Sequence, residues 1–245
     1  MSDNVLSSSA EISMPSSASP YSGLALRLYD TFVLNFTSPF AWGCRKETIN
    51  ALYRQNVTPR HAEVGVGSGY FLRRLATRQW QTVALIDPNK SALSFVKSRL
   101  PGVPVVEYNG DILRSDTLPS VRFSSVAANY VLHCLPGPMA SKRIAIQNLA
   151  ALLVDDGILF GSTVLGVSER HNALGRVVMD VCNRKGAFGN TEDTEECLRE
   201  LLALHFETVD IKREKTVAIF VASRPRRLPA NPDSNQHNDS GGAGA

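Results

Sequence analysis

Three observations predict an α/β fold, an open and mostly parallel sheet with helices packed on it. The run HAEVGVGSG (61–69) is a short strand that passes at once into glycines and then into a helical pattern. From there to residue 165 strand and helix patterns alternate, which calls for parallel strands joined by right-handed crossovers. At the end, FETVDIKR (206–213) and KTVAIFVASR (215–224) are two strand patterns with almost nothing between them. A parallel pair needs a connection of a dozen residues or more, so this pair is antiparallel. One antiparallel strand is therefore expected at the C-terminal side of the sheet.

The first 20 residues are rich in Ser, Ala and Pro, offer no apolar face and are expected to be disordered. YSGLALRLYDTFVLNF (21–36) puts Leu24, Leu28, Thr31, Phe32 and Asn35 on one helical stripe. SPFAWGC (38–44) breaks it, and ETINALYRQN (47–56) reads as a second helix. After Pro59 come the first strand, the helix FLRRLATR (71–78) and the buried strand TVALID (82–87), which ends in an acid. The helix SALSFVKSRL (91–100), the strand VPVVEY (103–108) and the turn NGD (109–111) follow. SSVAANYVL (124–132) is a strand. SKRIAIQNLAALL (141–153) is a helix with Ile144, Leu149, Leu152 and Leu153 toward one side. Asp156-Gly157 is a turn, and ILFGSTVL (158–165) a strand. RHNALGRVVMDVCNRKG (170–186) and TEDTEECLRELLALHF (191–206) are helical, the second with Thr191 or Thr194 as N-cap and acids in its first turn. The body thus spans 21–224, and the tail 225–245, of Pro, Asn, Ser and Gly, is expected to be disordered, with Arg224, Arg226 and Arg227 outside the core.

Composition narrows the function. Hydrophobic residues make up 43% and charged residues 20% of 245, the profile of a globular chain with one sizeable core. Twenty-six Lys and Arg against 23 Asp and Glu leave a charge of +3, too little for the basic footprint of a nucleic-acid binder. Cys44, Cys134, Cys182 and Cys197 form no CxxC pair and no zinc spacing, so no metal is expected and free thiols are. No apolar run reaches the length of a membrane span. The N-terminal stretch has neither a basic n-region nor an apolar h-region, and a cytoplasmic location is expected.

The chemistry sits where the strands end. In Glu63-Val-Gly65-Val-Gly67-Ser-Gly69 the glycines allow a tight turn and a close approach of ligand to backbone. The helix start beyond them offers free N–H groups. A carboxylate two residues before the first glycine suits a cationic ligand group rather than a phosphate. GK[ST] is missing, and the third glycine comes one residue too early for the dinucleotide fingerprint. Asp87, at the tip of the second strand, is placed to accept both hydroxyls of a ribose. Asp111 in the third loop suits an adenine amino group, with the backbone N–H of Ile112 beside it. All three acids fall at the C-terminal edge of adjacent strands, where open α/β sheets bind ligands.

On these residues the chain resembles the class I S-adenosylmethionine-dependent methyltransferases, over about 21–224. Glu63, Gly65, Gly67 and Gly69 match the family's first motif, Asp87 its ribose acid, and Asp111-Ile112 its adenine loop. NYVLHCLPG (129–137) and LLVDDGILF (152–160) match the fourth and fifth strand segments. Ser124 stands where the family often has Asp, and LLVDDG where LLKPGG is common. The resemblance implies a Rossmann-like, doubly wound, seven-stranded sheet with an antiparallel seventh strand, and a helical lid over 21–58. It implies S-adenosyl-L-methionine as cofactor, and a small-molecule acceptor, such as a secondary-metabolite intermediate, methylated on O, N or C. Within it Tyr29 holds the position of a lid tyrosine that reaches the cofactor, and Asn129 lies near the methionyl part.

His133, just after the fourth strand, is the candidate general base for the acceptor, the alternative being a packed ring beside Cys134 and Leu135. His61 starts the first strand away from the ligand edge and reads as structural. Arg170 and His171 lie in the segment that often walls the acceptor, and Phe36, Phe40 and Trp42 are candidates to cover it. Three other readings remain: a cofactor-dependent cyclase or dehydratase that transfers no methyl, a non-catalytic interaction protein, and a methyltransferase that acts on protein or RNA.

Overall fold

The computed structural model describes residues 41–75, 78–166 and 171–227. The helix expected over 21–36, most of both tails and Tyr29, Phe36, Phe40 and Arg170 lie outside them. The described elements are α1 (Lys46–Asn56), β1 (Arg60–Val64), α2 (Tyr70–Arg73), β2 (Thr82–Ile86), α3 (Lys90–Ser98), β3 (Val105–Tyr108), β4 (Phe123–Asn129), α4 (Arg143–Ala151), β5 (Leu153–Val164), α5 (Ala173–Arg184), α6 (Glu195–His205), β6 (Phe206–Glu214) and β7 (Val217–Pro225).

Seven strands form one sheet in the order β3-β2-β1-β4-β5-β7-β6. The pairs among β1 to β5 are parallel, and β7 runs antiparallel to both β5 and β6. Only Lys215 and Thr216 join β6 to β7, so that pair has no room for a crossover. The order reverses between β1 and β4, which makes the C-terminal edge at that point the expected ligand crevice.

Alternation along the strands builds two faces. Ala62, Val64, Val126, Ala128, Leu159 and Phe220 enter one core with Leu149 of α4 and Leu198 and Leu202 of α6. On the opposite face Ala127, Phe160, Val164 and Ile219 pack with Ile49, Leu52 and Tyr53 of α1 and Met179 of α5. Val83 and Leu85 meet Leu93 and Val96 of α3. Asn89 caps α3, Asn172 caps α5 and Thr194, of the two candidates, caps α6.

The structure corrects four details. The helix expected over 71–78 is one regular turn, started by Gly69 in the left-handed conformation with no capping side chain. Asp156-Gly157 is not a free turn: it lies inside β5, where two steps along β4, from Phe123 to Ser125, face five along β5, from Leu153 to Ile158, a break in the register. Ile144 is exposed, while Ala145, Ile146, Asn148 and Leu149 of α4 face the core. The ordered body also runs three residues past 224. Pro225 ends β7, Arg226 N–H donates to His205 O at 2.7 Å, and Arg227 reaches Asp155 at 2.6 Å and Leu153 O at 2.8 Å.

Candidate functional site

The glycine loop turns directly off β1. Gly65, Gly67 and Gly69 have φ of 70°, 50° and 70°, the left-handed region that side chains avoid. A methyl at Gly65 would lie 2.5 Å from Val131 Cγ2, so that glycine lets the loop pack under the end of β4. Around the Cβ position of Gly67 no atom of the described residues lies within 4 Å. Those residues leave space there, as a loop that receives a ligand requires.

Asp87 follows β2 and braces this loop. Val66 N–H donates to its Oδ2 at 3.0 Å and Asn89 N–H to its Oδ1 at 2.8 Å. Burial pushes its carboxyl above the usual range, and the two backbone bonds oppose that shift. Asn109, from the third loop, donates to the carbonyls of Asp87 and Pro88 at 3.2 and 2.8 Å. In that loop Asp111 Oδ1 accepts from Leu113 N–H at 2.9 Å, so this acid shapes its own turn, and the Asp111 N–H donates to Thr117 Oγ1. Ile112 is buried and its carbonyl takes the Asn148 amide at 2.7 Å. Asp87, Asp111 and the glycine loop thus share one edge, with their backbones tied together.

Glu63 is buried and both of its oxygens have donors. Tyr53 Oη donates to Oε1 at 2.6 Å and His61 Nε2 to Oε2 at 3.2 Å. On its other side the His61 Nδ1 lies 2.9 Å from Ser125 Oγ, which also takes the Thr58 N–H at 3.0 Å. None of Tyr53, Ser125 or Thr58 is a candidate from sequence, and His61 reads there as structural. The legible signal is parity: His61 and Glu63, two apart on a strand, share a face.

The other half of the edge lies past β4 and β5. Asn129 is half-buried and its Oδ1 accepts from Ser162 Oγ at 2.5 Å, which leaves the amide N–H groups free to donate. Tyr130 has φ of 56°, a strained conformation for a large side chain. Its ring meets His133 edge-on at 5.9 Å, His133 meets Phe188 at 4.5 Å, Phe188 meets Trp42 at 6.1 Å, and Trp42 meets His171 at 5.9 Å. Trp42, His133 and His171 are buried, Tyr130 and Phe188 half-buried.

His133 Nδ1 is 3.4 Å from the Val164 N–H, which can only donate, and 3.5 Å from Thr163 Oγ1. The ring proton therefore sits on Nε2. Burial, with Lys142 nearby, pushes its pKa down to about 3. His171 Nε2 donates to Leu165 O at 3.0 Å, and its Nδ1, also buried, has no partner among the described residues. Behind these rings Lys142 and Asp193 form a fully buried ion pair in hydrogen-bond contact. It joins the turn before α4 to the segment before α6.

The comparisons with known proteins agree with this geometry. A family model described as "Methyltransferase domain" matches residues 62–159. A physcion biosynthesis cluster O-methyltransferase of Aspergillus chevalieri is 32% identical over 84% of this chain and 94% of its own. A demethylluteothin O-methyltransferase of Streptomyces thioluteus is 32% identical over 82% and 88%. Among solved structures, the N-methyltransferase NodS of Bradyrhizobium japonicum in complex with S-adenosyl-L-homocysteine aligns at a TM-score of 0.57, covering 83% of this chain and 98% of that one at 15% identity.

Proposed function

The chain belongs to the class I S-adenosylmethionine-dependent methyltransferases that act on small molecules, and we propose that it methylates an oxygen on a planar, largely apolar secondary metabolite. The observation that carries this reading is the run of rings Tyr130, His133, Phe188 and Trp42 past the ends of β4 and β5. Aromatic faces and edges favour a flat, conjugated acceptor. The names of the two relatives, both O-methyltransferases of natural-product type, support the choice of atom.

The roles follow from the residues. Asp87 accepts from the ribose hydroxyls, Asp111 from the adenine amino group beside Ile112, and Glu63 from the ammonium of the methionyl end. Gly65, Gly67 and Gly69 let the backbone approach, and Asn129 donates toward the methionyl carboxylate or the acceptor. S-adenosyl-L-methionine, when bound, supplies a methyl group made electrophilic by its sulfonium. The chain's main task is then to hold the acceptor oxygen in line with it. Alignment of this kind supplies roughly 7–11 kcal/mol in favourable cases. His133, with Nδ1 engaged and its proton on Nε2, suits a donor or a packed wall better than the base expected of it.

The test is turnover with labelled S-adenosylmethionine against matched acceptors, phenols and the corresponding aromatic amines, with product masses read. One added methyl on phenols alone supports the proposal. Methylation of the amines alone removes the oxygen assignment. An altered acceptor of unchanged carbon count would favour the cyclase or dehydratase reading.

A further inference from the structure

We infer that Tyr53 and His61 are positioning residues that hold the Glu63 carboxylate for the amino-acid end of the cofactor. The inference rests on the reading of Glu63 as acceptor for the ammonium. A carboxylate has about four lone-pair directions. Here one on each oxygen is filled from inside the protein, at 2.6 Å by Tyr53 and at 3.2 Å by His61. The directions that remain are fixed by those two donors.

The donors are themselves immobilised. The Tyr53 ring stacks on Phe71 at 5.1 Å and meets Phe160 edge-on at 5.1 Å. Burial and the neighbouring Glu63 hold the Tyr53 phenol well above its usual pKa, so it keeps the proton it donates. His61 stacks on Phe160 at 6.0 Å and is gripped at Nδ1 by Ser125 Oγ. Thr58 completes the line with its N–H at 3.0 Å and its hydroxyl at 2.9 Å from the same Ser125 oxygen. The line therefore crosses α1, β1, β4 and the connection between α1 and β1. It ends on the one acid that begins the glycine loop. A buried carboxylate without such partners is costly and free to rotate or take up a proton. The arrangement also links α1 directly to the loop's chemistry, so that a shift of α1 is felt at Glu63.

The experiment is calorimetric titration of the full chain with two probes, S-adenosylhomocysteine and 5′-methylthioadenosine, which share the adenosine and sulfur but differ in the amino-acid portion. Tyr53→Phe keeps the ring and removes the donor. It is expected to weaken S-adenosylhomocysteine about 10-fold or more, the scale of one hydrogen bond to a charged group, and to change 5′-methylthioadenosine less than twofold. Equal loss for both probes, or no loss for either, overturns the inference. If Tyr53→Phe does not fold, His61→Gln in the same pair of titrations decides it by the same two outcomes. Glu63→Gln separates the premise from the inference. Unchanged S-adenosylhomocysteine affinity in Glu63→Gln removes the ammonium reading and the inference with it. Loss in Glu63→Gln with none in Tyr53→Phe keeps the ammonium reading and overturns only the positioning.

Discussion

The two halves of the sheet's C-terminal edge are built in opposite ways. On the β1–β2–β3 side, two of the three acids are set by backbone N–H groups, Asp87 by Val66 and Asn89 and Asp111 by Leu113, and Glu63 is the exception, held by the side chains of Tyr53 and His61. On the β4–β5 side the groups come from far apart in the chain. Trp42, His133, His171 and Phe188 meet ring to ring, and Lys142 meets Asp193. A cofactor common to a family needs one fixed cradle, which short-range backbone geometry supplies. An acceptor site has to differ between relatives, and long-range packing can be changed without rebuilding the cradle. Damage to the second half should therefore fall on stability, and damage to the first on binding.

The largest effect expected is at Lys142. Burial disfavours both charged forms, lowering the pKa of Lys142 and raising that of Asp193, against which the Met139 backbone N–H also acts. Lys142→Met leaves the Asp193 carboxylate buried without its counter-charge, at a cost of about 3–5 kcal/mol. Urea denaturation reads it, and replacing Asp193 by Leu as well should restore part of the loss. A cost under about 1 kcal/mol would mean that the pair does not hold the two segments together.

Next in size is Asp87→Ala. With Asp87 accepting two hydrogen bonds from ribose hydroxyls, as proposed, the expected loss is about 100-fold or more in S-adenosylhomocysteine affinity, roughly 2.7 kcal/mol. Calorimetry measures it, with the unfolding midpoint as control. If instead the midpoint falls and affinity holds, the contrast between the two halves is broken, because Asp87 would then serve mainly to brace Val66 and Asn89.

His133 makes the β4–β5 half sensitive to acid. Its folded pKa of about 3 lies below the unfolded value of about 6.5. Below pH 6.5 the unfolded chain takes up a proton that the folded chain refuses. Stability is thus retained above that pH and lost as pH falls from about 6.5 toward about 3. At pH 5 the loss is about 2 kcal/mol. Urea curves at pH 7.5 and pH 5 should differ by that much more in wild type than in His133→Asn. Equal differences would show that His133 is not the titrating group.

Legibility in the sequence follows the same division. The parallel order, the antiparallel β7 and the shared edge of Asp87, Asp111 and the glycine loop are readable because they depend on short-range rules: period-2 runs, glycines after a strand, an acid at a strand tip. The register break at Asp156-Gly157 is not, since the same dipeptide suits a turn and only the pairing with β4 decides. Arg226 and Arg227 look like tail by composition, and only tertiary contacts with His205, Phe206 and Asp155 hold them. Tyr53 is invisible as a site residue for a related reason. It sits on a helix whose docking against β1 cannot be read from spacing, so its bond to Glu63 has no sequence signature. The His133 tautomer depends on Val164, 31 residues away.

Gly67 gives the smallest effect on the fold and the sharpest separation of binding from stability. With φ at 50° and no atom of the described residues within 4 Å of a new methyl, Gly67→Ala meets no collision with them. Its cost to stability is the conformational one alone, about 1 kcal/mol. The same methyl would project into the space left beside the loop, where a ligand must come close to the backbone. Affinity for S-adenosylhomocysteine should then fall by tenfold or more, while the unfolding midpoint moves by only a few degrees. Gly65→Ala is the counterpart, because its methyl collides with Val131 Cγ2 at 2.5 Å and so strikes the packing under β4 as well. Thermal melts and titrations on the two variants together decide the matter. If Gly67→Ala binds as tightly as wild type, the open side of the loop does not face the cofactor, and the cradle must lie on the Asp87 side alone.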